Sequence, residues 1–402
     1  MLFESIPPRP ALSRTVLLER FAADARAEKL LLASGAYKDE SGRTPLLESI
    51  RIATERVNSR GISRDYLPGA GDPKFIAAIE SLLLGELNVT AGKRMRTAHT
   101  PGGTAAIWVG AMLIKAVAPG ARVWISDPTW GNHIKVFEQA GLEVVAHPYY
   151  DASSRTLIFD DMLAAVERIP AGDVLFLQGA THNPTGLDPD PAQWKQLKEG
   201  VRRRRIFPFF DLAFFGFSNG LREDLQGLLQ FLADGEELLV ATSLSKSMSF
   251  YNERVGSLSI VGATEAGAAA AFSHVEHLIR GSYSNPPLHG AAIAAEVLSD
   301  GELFAFWEKD LAAIRARIRT MRERFALGLS ARVPLRDFSY VERERGLFTK
   351  FDVAEGAVDH LRERYALHLG AGGRCNITAV PEARFENVCD LIAACIPLTN
   401  GP

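Results

Sequence analysis

Cysteine is scarce in this chain and no hydrophobic run is long. Three cysteines, Cys375, Cys389 and Cys395, stand near the end of 402 residues, none in a Cys-x-x-Cys or zinc-ligand spacing. A disulfide scaffold is therefore excluded, and the usage suits a reducing cytoplasm. No apolar window approaches the ~18 residues of a membrane span. The opening MLFESIPPRPALSRTVLLERF has prolines and an early glutamate where a secretory signal needs a basic start and an uninterrupted apolar stretch. The expectation is a cytoplasmic protein without membrane contact. An excess of one charge is also missing. Forty-five Lys and Arg against 48 Asp and Glu leave a formal net charge of -3, which gives no electrostatic ground for nucleic-acid binding. The one basic cluster, Arg202 to Arg205, reads as a solvated helix end. The phosphate loop GxxxxGK[ST] is absent, and GAGDPK lacks the third glycine of the dinucleotide fingerprint.

What is present is an alternation of strand-length apolar runs with longer segments of helical period, the pattern of a mostly parallel sheet flanked by helices. RVWIS leads into DPTWGNH, DVLFLQ into GATHNPTG, FPFF ends at Asp211, and ELLVATS leads to Lys246. Ligands of open parallel sheets bind beyond the carboxyl ends of the strands, so these polar clusters are expected to converge. Residues 45–312 read as the large α/β domain. From about Leu303 a long charged helix leaves it, and a smaller α+β domain takes 13–44 and 313–402. In that part FSYVERERGLFTKF, Phe338 to Phe351, reads as a hairpin, followed by a helix, the short strand GRCNITA and a final amphipathic helix. Residues 1–12 read as an extended arm, since PPRP forbids a helix.

Lys246 follows the buried run Leu238-Leu239-Val240 among four serines, and a buried ammonium must be paired, neutralised or used. TPGGTAAIWVGAMLI sets two glycines and a threonine at the start of an apolar helix, either an anion site or only a turn. Arg254, eight residues beyond Lys246, could join the Ser243 and Ser245 hydroxyls around a phosphate, or pair with Glu253 at the surface. Asp211 ends four apolar residues and calls for a cationic partner. With the flat face of Trp130, these parts can hold a phosphorylated pyridine aldehyde in a Schiff base with Lys246.

DPTWGNH, HNPTGLDP, FFDLAFFGF, SLSKSMSFYNERVG, IRGSYSNPP and GRCNITA together resemble the aspartate and aromatic aminotransferases, fold type I enzymes of pyridoxal 5'-phosphate, over nearly the whole chain. The resemblance implies that Lys246 carries the cofactor and shuttles the substrate proton, that Asp211 pairs with the pyridine nitrogen with His133 behind it, that Trp130 stacks on the ring, and that Asn183 donates to its phenolic oxygen. Gly103, Thr104, Ser243, Ser245 and Arg254 would hold the phosphate, joined by Tyr66 from the other subunit of a homodimer with shared sites. Arg374 would take the substrate α-carboxylate. Arg280 would cross the dimer to a side-chain carboxylate, and Ser34 and Gly35 would line the substrate space. The partners implied are an acidic or aromatic L-amino acid and a 2-oxo acid.

The chain departs from the family pattern at several of these places. Phe214 stands where a tyrosine would give the phenolic oxygen a second donor, which is expected to raise the pKa of the Schiff base. Ser34 replaces an apolar residue, Ser247-Met248-Ser249 follows the lysine, and Lys350 lies in GLFTKF. Such changes leave open a diverted reaction on the same cofactor: elimination, replacement or carbon–carbon bond formation. His274 and His277 read as a polar helix face rather than a metal site, and His182 as structural. A non-enzymatic, cofactor-binding regulatory role would need a DNA-binding segment that the sequence does not show.

Overall fold

The protein is described by a computed structural model covering residues 3–87 and 92–397. The chain forms two compact units. One comprises Thr44–Thr320 with Glu342–Gly346, the other Met1–Arg43, Met321–Val341 and Leu347–Pro402.

The larger unit is organised by β1 (Met95–Thr100), β2 (Arg122–Asp127), β3 (Glu143–Pro148), the small antiparallel pair β4 (Tyr150–Asp151) and β5 (Thr156–Leu157), then β6 (Val174–Gln178), β7 (Phe207–Leu212), β8 (Leu238–Ser243) and β9 (Gly256–Val261). Seven of them make one sheet in the order β1-β9-β8-β7-β6-β2-β3. Neighbours from β8 to β3 run parallel, and β9 is antiparallel to both β1 and β8. Every residue of β8 and β9 is buried, as expected of strands covered on both faces. One face sends Ala98, Phe176, Phe209, Leu239, Ala241, Leu258 and Ile260 into a core shared with the helix Gly103–Val117. That helix is apolar nearly all round, which suits burial. Its Gly110 sits against Phe209, where an added Cβ would lie 2.5 Å from the ring, so only glycine lets the helix approach so closely. Helix starts are marked in the sequence: Asp190 and Gln193 form a capping box before Pro191–Arg204, and Asp72 caps Pro73–Leu84. Arg202, Arg203 and Arg204 close the former helix at its surface end.

In the second unit, Phe325 packs edge-on to Phe385 and tilted against Phe351, with Leu361, Val388 and Ile392 fully buried around them. Here the hairpin expected over Phe338–Phe351 is corrected. Asp337 accepts the Ser339 N–H at 2.8 Å and starts the short helix Ser339–Arg343, which buries Tyr340 and Val341. Only Phe348–Lys350 (β10) is a strand, and its antiparallel partner is the distant β11 (Arg374–Asn376). The Asp337 side-chain turn and the helix after it replace the strand that the alternation of FSYV suggested. The buried guanidinium of Arg322 donates to the Val341 carbonyl at 2.8 Å and the Phe348 carbonyl at 2.6 Å, tying helix to strand. No helix among the described residues is long and apolar enough to cross a membrane.

Candidate active site

In the larger unit the carboxyl ends of β6, β7 and β8 bring Gln178, Asp211 and Ala241 into one row across the sheet. Asp211, only 4% exposed, therefore lies within β7 rather than just beyond it. Its Oδ2 stands 3.1 Å from His133 Nε2, while His133 Nδ1 meets Thr129 Oγ1 at 2.9 Å. His133 is in the first turn of the helix Gly131–Gln139, wedged edge-on between Trp130 and Phe176. Trp130 remains 36% exposed, so its ring offers a face to a bound molecule.

Two residues that the sequence analysis left unassigned complete this row. The Gln178 side chain accepts the Asn183 N–H at 2.9 Å, donates to the Asn183 carbonyl at 3.2 Å, and reaches Thr129 Oγ1 at 3.4 Å. Gln178 and Thr129 thus connect the loop of Asn183 to the histidine behind Asp211. The available signal was a polar residue closing the apolar run DVLFLQ. His182, beside Asn183, is buried between the hydroxyls of Ser126 (2.8 Å) and Thr185 (2.9 Å) and stacks on Tyr149 at 4.0 Å.

Lys246 follows β8 in a turn closed by the Ser249 N–H on the Lys246 carbonyl, 3.0 Å. Its Nζ lies 4.6 Å from the centre of the Phe214 ring, a cation–π distance. Burial is the main reason its pKa is held below the ordinary lysine value. The Arg254 charge pushes the same way, and the Asp211 carboxylate opposes both. A lysine amine set in this field loses its proton more readily than one in water.

A second cluster lies at the N-terminus of the helix Gly103–Val117. Arg254, itself at φ +58, donates to Ser245 Oγ at 3.0 Å, to the Tyr251 carbonyl at 3.4 Å and to the Pro101 carbonyl at 3.5 Å. Gly102 caps the helix at φ +85, a conformation costly for other residues. A Cβ on Gly102 would lie 2.3 Å from Arg254 Nη2, and one on Gly103 would lie 2.9 Å from Ser243 Cβ. The glycines let Arg254 and Ser243 close on the helix start, so that backbone, hydroxyl and guanidinium donors gather at the positive end of a helix dipole. These donors suit a phosphate, and Thr104 stands in the same first turn.

The other residues named from the sequence have surroundings of their own. Tyr66 is 92% exposed. Arg280 is exposed in the last turn of the helix Glu265–Ser282, where Nη1 donates to Ser284 Oγ at 2.6 Å. In the smaller unit Arg374 opens β11, with its guanidinium carbon 3.6 Å from the centre of the Phe348 ring, and burial lowers its pKa to about 10. Asn376, two residues on, donates to the carbonyls of Ser34 and Ala36, each at 2.8 Å, and so hangs the Ser34-Gly35-Ala36 turn on the strand. A Cβ on Gly35 would meet nothing within 4 Å.

The α/β sheet, with a buried lysine near a histidine-backed carboxylate and a cluster of anion-binding donors, suits an enzyme that uses an anionic cofactor. The chain belongs to the family described as Aminotransferase class I and II, which matches residues 27–392. It is 40% identical over 394 residues to an aspartate aminotransferase of Escherichia coli, covering 98% of this chain and 100% of that protein. It is 36% identical over 381 residues to an aromatic-amino-acid aminotransferase of the same organism, covering 94% and 96%. Among solved structures, an aromatic-amino-acid aminotransferase from Burkholderia pseudomallei, covalently bound to pyridoxal phosphate, superposes with a TM-score of 0.94 at 40% identity, covering 99% of this chain and all of that one.

Proposed function

We propose that this chain transfers the amino group of an acidic or aromatic L-amino acid to a 2-oxo acid, with pyridoxal 5'-phosphate held on Lys246. The observation that carries the reading is the placing of a buried lysine, its pKa lowered, between the Phe214 ring and the charges of Asp211 and Arg254. When bound, the cofactor supplies an aldehyde for an amine and a ring that accepts the electron pair left when a substrate loses its α-proton. Asp211, fixed by His133, presents a carboxylate to the ring nitrogen. Asn183 and Trp130 orient the ring, and the Gly103–Thr104 turn, Ser243, Ser245 and Arg254 hold its phosphate. Lys246, once its amine has been displaced from the cofactor by that of the substrate, would take the α-proton and return it, which its lowered pKa favours.

Arg374 is the proposed partner of the substrate α-carboxylate, as a planar fork suited to two parallel hydrogen bonds. Its burial leaves it weakly hydrated, which favours pairing with a carboxylate. Ser34 and Gly35 are proposed to line the substrate space. Tyr66 and Arg280 are exposed within the single chain, which supports a homodimer in which each reaches its partner's site. A cytoplasmic location fits the three free thiols.

The test is a panel of amino acids, each given to the holoenzyme with a 2-oxo acid acceptor while products are followed by chromatography. Glutamate, aspartate or an aromatic amino acid is expected to yield its own 2-oxo acid. Failure of all of them, with release of a side-chain group from another amino acid, would overturn the reading in favour of elimination or replacement. Shared sites are tested by mixing inactive Lys246→Ala and Arg280→Ala subunits. Recovery of part of the activity is expected, and none despite proven subunit exchange would sink the shared sites.

A further inference from the structure

A carboxylate that the chemistry above does not use closes the loop that carries Asn183. Asp188 Oδ2 accepts the Thr181 N–H at 2.7 Å and Oδ1 accepts the His182 N–H at 2.9 Å. Thr181 is held at φ +55, which a β-branched residue adopts only when its surroundings impose it. The loop is tied again by Gly186 N–H to the His182 carbonyl and by Arg345 N–H to the Gly186 carbonyl, both at 2.7 Å. At Gly186, φ +68, a Cβ would come within 2.4 Å of the Arg345 carbonyl oxygen, so the turn has no slack. Gln178 already holds the backbone of Asn183 from the other side.

We propose that Asp188 is a positioning residue: by gripping the N–H groups of Thr181 and His182 it sets the backbone from which Asn183 reaches the cofactor, and its protonation loosens that grip. The proposal rests on the reading of Asn183 as a cofactor ligand. An ionised carboxylate accepts at both oxygens, whereas a protonated one carries a hydroxyl hydrogen at one of them and accepts there poorly. The charged and titratable groups that face Asp188 are Asp224, Arg345 and the Tyr149 phenol. Burial raises the Asp188 pKa to about 6. The two backbone N–H groups and Arg345 oppose the rise, and the charge of Asp224 adds to it. Burial, with the Asp188 charge behind it, keeps the Tyr149 phenol well above its ordinary value and so protonated. Asp224 is itself raised by burial, against four backbone hydrogen bonds that include Gly216, Ser218 and Asn219 of the loop after Phe214.

The sign of the linkage separates the grip from the fold. A carboxyl raised above its unfolded value favours the folded state below that value and loses this contribution as pH rises through about 6. The two N–H groups hold that pKa down, so their loss while Asp188 stays buried would raise it further; acid therefore favours the loosened loop without weakening the fold through this group, and the effect is local.

The experiment compares holoenzyme of the wild type, Asp188→Asn and Asn183→Ala across pH. It follows hydrogen exchange of the 179–188 peptide, corrected for intrinsic rate, and the absorbance of the bound cofactor. In the wild type, exchange of this peptide is expected to rise at least about threefold as pH falls through about 6, with a parallel shift in absorbance. Asp188→Asn is expected to exchange fast at every pH and to lack both steps. Asn183→Ala is expected to change the absorbance while keeping the exchange step. If Asp188→Asn keeps the wild-type step, or exchanges fast with an unchanged absorbance while Asn183→Ala changes it, the proposal is overturned and the reading of Asn183 stands. If Asn183→Ala leaves the absorbance untouched, that reading fails and the proposal falls with it. Should Asp188→Asn not fold, the absence of any wild-type exchange step near pH 6 is decisive against it.

Discussion

The two ends of the proposed cofactor site are built in opposite ways. At the ring end, side chains do the holding. Asp211, His133, Thr129 and Gln178 form a hydrogen-bonded row that ends on the backbone of Asn183. At the phosphate end the important feature is missing side chains. A Cβ on Gly103 would collide with Ser243, and one on Gly256 would lie 2.6 Å from the Thr242 carbonyl oxygen and 2.7 Å from the Gly102 carbonyl carbon. The difference reflects what each end must recognise. A ring nitrogen is a single directional atom whose protonation matters, so it needs a carboxylate whose orientation is set by a partner behind it. A phosphate accepts hydrogen bonds from many directions and needs mainly room, backbone donors and positive charge.

Substitutions at three positions break or sharpen that contrast. The largest effect is expected at Asp211. Replacing it with alanine removes the charge proposed to face the ring and is expected to lower kcat by about 10²–10³-fold, the scale for removing one preorganised electrostatic group. Affinity of the apoenzyme for the cofactor, read by fluorescence titration, is expected to change far less. A variant that lost affinity but kept full kcat once saturated would make the two ends alike. Gly103→Ala is expected to do the reverse. Forcing a methyl to within 2.9 Å of Ser243 Cβ costs about 1–3 kcal/mol if the strain falls on the bound state, or about five- to 150-fold in cofactor affinity. The kcat of the saturated enzyme should stay near the wild type, and an unchanged affinity would show that the cradle is not where the phosphate sits. The smallest effect is expected at Gln178. Its change to leucine leaves the Asn183 N–H without its acceptor, which costs about 1–3 kcal/mol. A lower Tm and a several-fold fall in kcat are expected. Gln178→Glu keeps the acceptor but sets a carboxylate against the Asn183 carbonyl, so it should recover only part of the Tm, and a Tm equal to the wild type in Gln178→Leu would show that the Asn183 contact is not what matters.

Much of the fold could be read directly from the chain. Apolar runs of strand length, each closed by polar residues, marked β2, β6, β7 and β8. The apolar helix after Gly103 was visible for the same reason, and so were Asp211, which ends a run that had to be buried, and Lys246, which follows one. These features are local: a strand or helix announces itself through periodicity, and a charge beside it is conspicuous because burying it is costly. The error over Phe338–Phe351 has an equally local cause. The alternation of FSYV is broken by the Asp337 side-chain turn, and β10 has its partner in Arg374–Asn376 rather than nearby.

The sequence by itself determined which residue types stand at the strand ends, where glycine permits a tight cap before Gly103–Val117, and which cations and carboxylates are available. Only the tertiary structure decided how they combine. Asp211 and His133 are 78 positions apart, and Arg254 and the Pro101 carbonyl 153. Gln178 acquires its part only when β6 carries it beside Thr129 and the returning Asn183 loop. The physical reason is that a hydrogen bond is specified to a few tenths of an ångström, while periodicity specifies only which side of an element faces the core. The pKa of Lys246 likewise depends on burial and on the distances to Asp211 and Arg254, quantities that exist only once the chain has folded.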